Sequence, residues 1–366
     1  MRLMIQTLTK KILWVIFFTV VLTSCAKQET QFFIFKRYDS EKDNWNYYKT
    51  DLYAPSHITE IEIPPCYSDD KRIQPIWSPN GQYYGCSAVY DRPLVIYNTN
   101  NEIIAKLEQG NPKDPLMWWI LDWSPDSQYL SIMNTGSGEK PYYDFSIMKY
   151  DGSSLQQIDK QTNASMSFGG VWAPNGRYIV RQVRPNSGEH DYLVISSPSG
   201  REIFRFDLTE FIHTPIVFAE QLKWSPDNRK LAFRTYYNMD VDSKLYVLDI
   251  ESGEVADIIP DKSICIMNIS DWSPDSKTML FDAIDCEKHI SGDIDTVYYS
   301  INVDGSELKP LTGKGVGTLN WTWDGKSIIV SGYHDISSKG MYIMDVDGRN
   351  KRILLDSGDF VSWITP

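Results

Sequence analysis

Seven times along this chain a tryptophan closes a short apolar run, and in five of the seven it is followed directly by Ser-Pro or Ala-Pro and then Asp or Asn. The full copies are Trp77-Ser78-Pro79-Asn80-Gly81, Trp123-Ser124-Pro125-Asp126, Trp172-Ala173-Pro174-Asn175-Gly176, Trp224-Ser225-Pro226-Asp227 and Trp272-Ser273-Pro274-Asp275. A sixth, Trp321-Thr322-Trp323-Asp324-Gly325, lacks the proline, and Val361-Ser362-Trp363 is the seventh. Successive tryptophans lie about 42 to 52 residues apart, the period of a β-propeller blade and not of a helical solenoid. A closed repeat array is one cooperative unit, so the 366 residues predict one propeller rather than two domains.

The fifth repeat shows how one copy becomes one blade. Ile269 to Trp272 reads as an inner strand A, and Ser-Pro-Asp is a turn in which Pro presets the backbone and Asp bonds the chain beyond it. Strand B follows at Lys277 to Ala283, strand C at Val297 to Asn302, the tight turn Asp304-Gly305, and strand D at Glu307 to Leu311. At the N-terminal side, Gln31 to Arg37, Asn46 to Asp51 and Ile58 to Ile63 read as strands B, C and D with no tryptophan strand before them. Phe360 to Trp363 reads as a strand A with nothing after it. Pairing the last strand with the first three closes a ring without a free sheet edge, which predicts an all-β, seven-bladed propeller of four-stranded blades. Six blades is the alternative, with the N-terminal strands as a separate cap.

The Trp-Ser-Pro-Asp-Gly turns, with Asp151-Gly152, Asp304-Gly305 and Asp347-Gly348, resemble the WD-repeat-like repeats of TolB-like propellers. The resemblance runs from about Gln31 to Trp363. It implies a propeller that binds other proteins of the cell envelope. TolB itself has six blades and an added N-terminal α/β domain, whereas only about six residues separate Cys25 from the first strand here. The specific contacts of TolB with the Tol and Pal proteins are therefore not expected of this chain.

Residues 1–24 read as a signal peptide: Arg2, Lys10 and Lys11 form a basic flank, and Ile12 to Leu22 an apolar core of about 11 residues, too short to span a bilayer. Leu22-Thr23-Ser24-Cys25 resembles the lipobox of bacterial lipoproteins, with Cys25 as the lipidated first residue, residues 25–30 as a short tether and 31–366 as the single domain. Ala26 stands where an Asp would imply inner-membrane retention, so the outer membrane is expected in a Gram-negative cell. Loss of the leader takes 36 basic residues to 33 against 48 acidic ones, a net charge of about −15. That charge, with no basic stripe, excludes a nucleic-acid partner. Besides Cys25, the cysteines are Cys66, Cys86, Cys265 and Cys286, an even number in an exported chain. Four cysteines allow three connectivities; the near pairings Cys66 with Cys86 and Cys265 with Cys286 would each bridge within one blade, and four buried thiols is the alternative.

The A–B and C–D turns are short and nearly constant, while the B–C and D–A connections vary and fall on one face. That face is the expected binding surface. Its long loops are Thr135 to Asp144, Arg184 to Asp191, Tyr236 to Lys244 and Ile284 to Thr296, with Thr209 to Ala219 between blades. They are acidic and aromatic, with Tyr142, Tyr143, His190, Tyr236, Tyr237, Asp240, Asp242, His289, Asp293, Asp295, Tyr333 and His334 as the candidate binding residues. The tyrosines could form a platform for a glycan or peptide. No cofactor is predicted; a divalent metal on the His and carboxylate groups at the channel mouth is the alternative, although no histidine pair has ligand spacing. No Gly-x-Ser-x-Gly occurs, which excludes an α/β-hydrolase of the prolyl-oligopeptidase kind, and no catalytic residue is assigned. The expected function is an envelope interaction module held to the membrane by its lipid, the alternative a metal-dependent propeller enzyme of lyase or lactonase type.

Overall fold

The structure, a computed structural model, describes residues 30–41, 44–62, 66, 74–88, 92–108, 117–136, 142–162, 167–185, 190–213, 218–236, 243–287, 296–312, 316–333 and 339–365. Its strands form seven four-stranded antiparallel sheets arranged as a propeller. Blade 1 holds β1 (Phe32–Asp39), β2 (Asn44–Asp51) and β3 (Ala54–Ile61). Blade 2 is β4 (Ile76–Trp77), β5 (Tyr83–Cys86), β6 (Leu94–Asn98) and β7 (Ile103–Leu107). Blade 3 is β8 (Met117–Trp123), β9 (Tyr129–Gly136), β10 (Tyr142–Lys149) and β11 (Gln156–Thr162). Blade 4 is β12 (Ser167–Trp172), β13 (Ile179–Val183), β14 (Tyr192–Ser196) and β15 (Glu202–Asp207), followed by the helix α1 (Leu208–Ile212). Blade 5 is β16 (Phe218–Trp224), β17 (Lys230–Tyr236), β18 (Lys244–Asp249) and β19 (Val255–Asp257). Blade 6 is β20 (Ile264–Trp272), β21 (Thr278–Asp285), β22 (Val297–Asn302) and β23 (Lys309–Thr312), and blade 7 is β24 (Val316–Trp321), β25 (Ser327–Tyr333), β26 (Lys339–Asp345) and β27 (Arg352–Leu355). The last strand, β28 (Asp359–Trp363), pairs antiparallel with β1 and completes blade 1, so the ring closes as expected and has seven blades rather than six.

One innermost strand runs further than the sequence pattern suggests. The innermost strand of blade 6 begins at Ile264 instead of Ile269, because its pairing with β21 shifts register twice, between Ile266 and Asn268 and between Ile269 and Asp271. Each bulge adds a residue and breaks the period-2 alternation from which a strand is read.

The repeat turns are built by one set of bonds. The Ser78, Ser124, Ser225, Ser273 and Thr322 hydroxyls donate to the Asn or Asp two residues on, at 2.6–2.8 Å. The next residue has positive φ, and in three copies it is not glycine: Ser127 (59°), Asn228 (63°) and Ser276 (61°). Each of these side chains accepts a backbone N–H from the preceding blade's turn, from Asn80 at 3.1 Å, Asn175 at 2.8 Å and Asp227 at 3.0 Å respectively. A left-handed backbone that usually favours glycine is offset here by a bond that joins neighbouring blades.

The core is not a single mass. Seven clusters of buried side chains lie one at each junction between blades, and the repeat tryptophans Trp77, Trp123, Trp172, Trp224, Trp272 and Trp321 are buried in them. Two kinds of bond fix these tryptophans. The Nε1–H of Trp123, Trp224 and Trp272 donates to the backbone oxygen of Ile76, Val171 and Lys223, each the residue before the preceding blade's tryptophan, at 3.0–3.2 Å. Where that residue is an aspartate the bond changes. Asp122 accepts from the backbone N–H of Trp123 and of Trp172, and Asp271 from those of Trp272 and Trp321, all at 2.9 Å. The indole nitrogens of Trp172 and Trp321 are buried without a partner, as are those of Trp77 and Trp363, whose neighbouring residues in the preceding blade are Ser362 and Asn320.

Burial pushes the Asp122 and Asp271 carboxyls up to about 6, against the two N–H donors each accepts from and the Lys223 ammonium, which favour the ion. A carboxyl that binds its proton more tightly in the folded state adds stability below its ordinary value of 3.8 and loses it as the pH rises through about 6. Each contributes at most about 2 kcal/mol after allowance for partial solvent access. The difference in Tm between pH of about 5 and about 7.5 should therefore be smaller in Asp122→Asn/Asp271→Asn than in the native chain. Equal pH profiles in thermal melts would show that the two carboxyls do not titrate in this range.

Candidate functional site

Because strands within a blade alternate in direction, the first and third connections of every blade emerge on one face and the second and fourth on the other. On the first face lie the repeat turns 78–82, 124–128, 173–178, 225–229, 273–277 and 322–326, nearly constant in length. On the second lie connections as different as 40–43 and 286–296, or 313–315 and 62–75. Both disulfides are on this variable face. Cys66, within connection 62–75, is bonded to Cys86 at the end of β5, and Cys265 near the start of β20 to Cys286 directly after β21, the near pairings among the three that the sequence left open. The first ties the link between blades 1 and 2 onto blade 2, and the second lies within blade 6. Sequence separations of 20 and 21 correspond to about 3 kcal/mol each of denatured-state restriction.

Blade 4 shows how a variable connection is held. Arg184 and Asp191, the ends of the connection between β13 and β14, form a two-pronged ion pair at 2.7 Å for both bonds, with the Asp191 side chain fully buried. The Asp191 backbone N–H donates to Thr209 Oγ1 and its oxygen accepts from Leu208 N, which fastens the loop to α1. Asp207 caps that helix by accepting from Glu210 N at 2.9 Å, and its other oxygen meets His190 Nδ1 at 2.6 Å. His190 also stacks on Tyr192, which lies under the Arg205 guanidinium. His190 is thus oriented by a carboxylate and an aromatic face at a partly exposed rim, an arrangement suited to recognition.

The other expected residues divide between strands and undescribed segments. Tyr142 and Tyr143 open β10, paired with Gly136 and Thr135, so the predicted loop Thr135 to Asp144 shortens to 137–141. Tyr236 and Tyr333 are the last residues of β17 and β25. Tyr237, Asp240, Asp242, His289, Asp293, Asp295, His334 and Cys25 lie outside the described residues. Among the described residues, no three His, Cys, Asp or Glu side chains are grouped as a metal site.

Sequence reasoning missed a polar seam between blades 5 and 6. Gln221 reaches across to donate to Asn268 Oδ1 at 2.9 Å and to accept from Ile269 N, while Arg234 bonds the Met267 oxygen. Asn268 in turn donates to the buried Asp282 at 3.0 Å. Burial raises the Asp282 carboxyl to about 6, opposed by Asn268 and Arg234, and the Tyr298 hydroxyl is raised by its own burial and by this carboxylate. The one available signal is positional: Arg234 stands ten residues after its tryptophan, as do Ser87 and Gln182, which accept backbone N–H groups from Ile120 and Ala219 in the next blade.

No protein-family model and no curated protein matches this chain. Solved structures do. A prolyl endopeptidase superposes with a TM-score of 0.60 at 11% identity, covering 90% of this chain and 48% of the other, so this chain spans about half of that enzyme. An oligogalacturonate lyase in complex with manganese gives a TM-score of 0.58 at 14% identity, covering 82% of this chain and 83% of the other. TolB from Acinetobacter baumannii gives 0.45 at 12% identity, covering 91% and 82%. At these identities the likeness to the endopeptidase and the lyase is one of fold.

Proposed function

We propose that the chain is an exported lipoprotein, cleaved before Cys25 and anchored through it, whose propeller binds a protein or other envelope component on its variable-loop face. One observation carries this reading: length variation and both disulfides are gathered on one face, while the opposite turns repeat with little change. Disulfides persist in oxidising compartments, in keeping with export. Crosslinking in intact envelopes followed by recovery of the protein should capture a specific partner. Asp207→Ala, which frees His190 and removes the α1 cap at a cost of about 1 kcal/mol, should reduce that capture while the ring stays folded. Capture of the same set of proteins by the native chain, the variant and an unrelated lipoprotein would refute the reading.

The likeness to a manganese-bound lyase over most of both chains favours a second reading, a metal-dependent enzyme acting on an acidic glycan, with His289, Asp293 and Asp295 as candidate ligands. An acidic face would need the metal to bridge it to a polyuronide. Bound metal in the purified protein together with manganese-dependent cleavage would support this reading, and neither is expected of a binding module.

A further inference from the structure

The face opposite the variable loops carries its own cavity, a cleft of about 340 Å³ at the junction of blades 3 and 4. Three features of this junction, in which it differs from the junctions on either side of it, leave space there. The residue of the blade 4 turn with positive φ is Gly176 (67°), so the side chain that bonds the preceding turn at Ser127, Asn228 and Ser276 is missing, and a Cβ there would meet only Pro125 Cδ at 3.9 Å. The buried cluster at this junction comprises only Phe145, Ile147, Trp172 and Ile179 among the described residues. Asp122 holds the Trp172 backbone, and the indole nitrogen of Trp172, a residue 6% exposed, is without a hydrogen-bond partner.

We propose that this cleft binds a neutral saccharide unit. Trp172 and Ile147, both buried, line its floor, and the aromatic surface open to a ligand is that of Tyr129, 38% exposed. Aromatic faces take the apolar C–H surfaces of a sugar ring. The exposed rim offers the Gln156 amide, the Ser199 hydroxyl and the Asp126 carboxylate, a mixed set of donors and acceptors for ring hydroxyls. Among the described residues no Lys, Arg or His lines the cleft, and with a carboxylate at the rim of an acidic protein it repels anions, so phosphates and uronic acids are selected against. The volume lies at the lower end of ligand cavities, enough for one or two sugar rings. This site is separate from the variable-loop face and does not depend on what binds there.

The test uses the purified protein with cellobiose, maltose and diacetylchitobiose in ligand-observed NMR and calorimetry. At least one disaccharide should bind with a Kd in the millimolar range, of the order of 1 mM, as expected for a small cleft with few anchoring groups. Tyr129→Ala and Gln156→Ala should each weaken that binding about tenfold. Gly176→Asn, whose side chain tolerates the left-handed backbone and can bond the preceding turn, should fill the cleft, remove binding and leave Tm unchanged or raised. Failure of all three disaccharides to bind the native chain, or binding that survives all three variants, would overturn the proposal. So would tighter binding of digalacturonate than of the neutral sugars.

Discussion

A chain ended at Gly358 should fail to fold cooperatively. Loss of β28 removes the pairing of Phe33 with Trp363 and of Phe35 with Phe360, and with it the stack of Phe360 on Phe33 at 5.7 Å and the edge contact of Trp363 on the same ring. Phe33 and Phe35, fully buried in the closed ring, would then face water along an unpaired β1 edge. Exposure of Phe33 and Phe35 together with loss of the burial of Phe360 and Trp363, at about 1.5–3 kcal/mol for each side chain, is comparable with the whole stability of a typical domain, about 5–15 kcal/mol. The bonds from Ile364 to Phe32 and from Thr365 to the Pro79 oxygen are lost as well. In urea the truncated chain should give a broad, early transition or aggregate, and a peptide of residues 359–366 added in trans should restore part of the native transition. A truncated chain that unfolds at the native midpoint would mean that β28 does not close the ring.

The second large effect is expected at Trp272. Its side chain is 4% exposed in the junction between blades 5 and 6, and its indole donates to the Lys223 oxygen at 3.0 Å. Trp272→Ala should cost about 3–5 kcal/mol, the range for deletion of a buried aromatic side chain. The phenylalanine substitutions separate packing from the bond. Trp272→Phe should lose about 1 kcal/mol more than Trp321→Phe, because the Trp321 indole nitrogen has no partner to lose. Equal losses in the two variants, measured by denaturant unfolding, would show that the indole bond adds nothing beyond packing.

The ring was legible because its signals are local and recur: a tryptophan, a proline-bearing turn and an acid at fixed offsets, with an unmatched copy at Trp363 set against three strands that lack one. The disulfides are the near pairings among the three connectivities that the sequence left open. What the sequence concealed is relational. Asp122 and Asp271 stand in plain view before two of the seven tryptophans, yet only the spatial neighbourhood of the next blade's backbone gives them a role. Ser127, Asn228 and Ser276 carry no signal in the sequence, because the bonds that give them a role are to the turn of the preceding blade. Tyr142 and Tyr143 read as loop because their partners in β9 continue the hairpin beyond the apolar pattern. The cleft between blades 3 and 4 had no sequence signal of its own, since a missing side chain at Gly176 matters only beside a turn that lies about 50 residues earlier.

The closure of blade 1 also gives the molecule a polarity. β1 is the second strand of its blade, so it starts on the face of the repeat turns and runs toward the variable loops, and the chain enters the ring from the turn side. An anchor at Cys25, on a tether of about six residues reaching no more than ~20 Å, would hold the turn side against the membrane. The variable loops, with His190 and the two disulfides, would then look outward into the space beyond the lipid, and the cleft of blades 3 and 4 would open toward the headgroups. Orientation on the membrane would thus be decided by which strand of the first blade the chain supplies first.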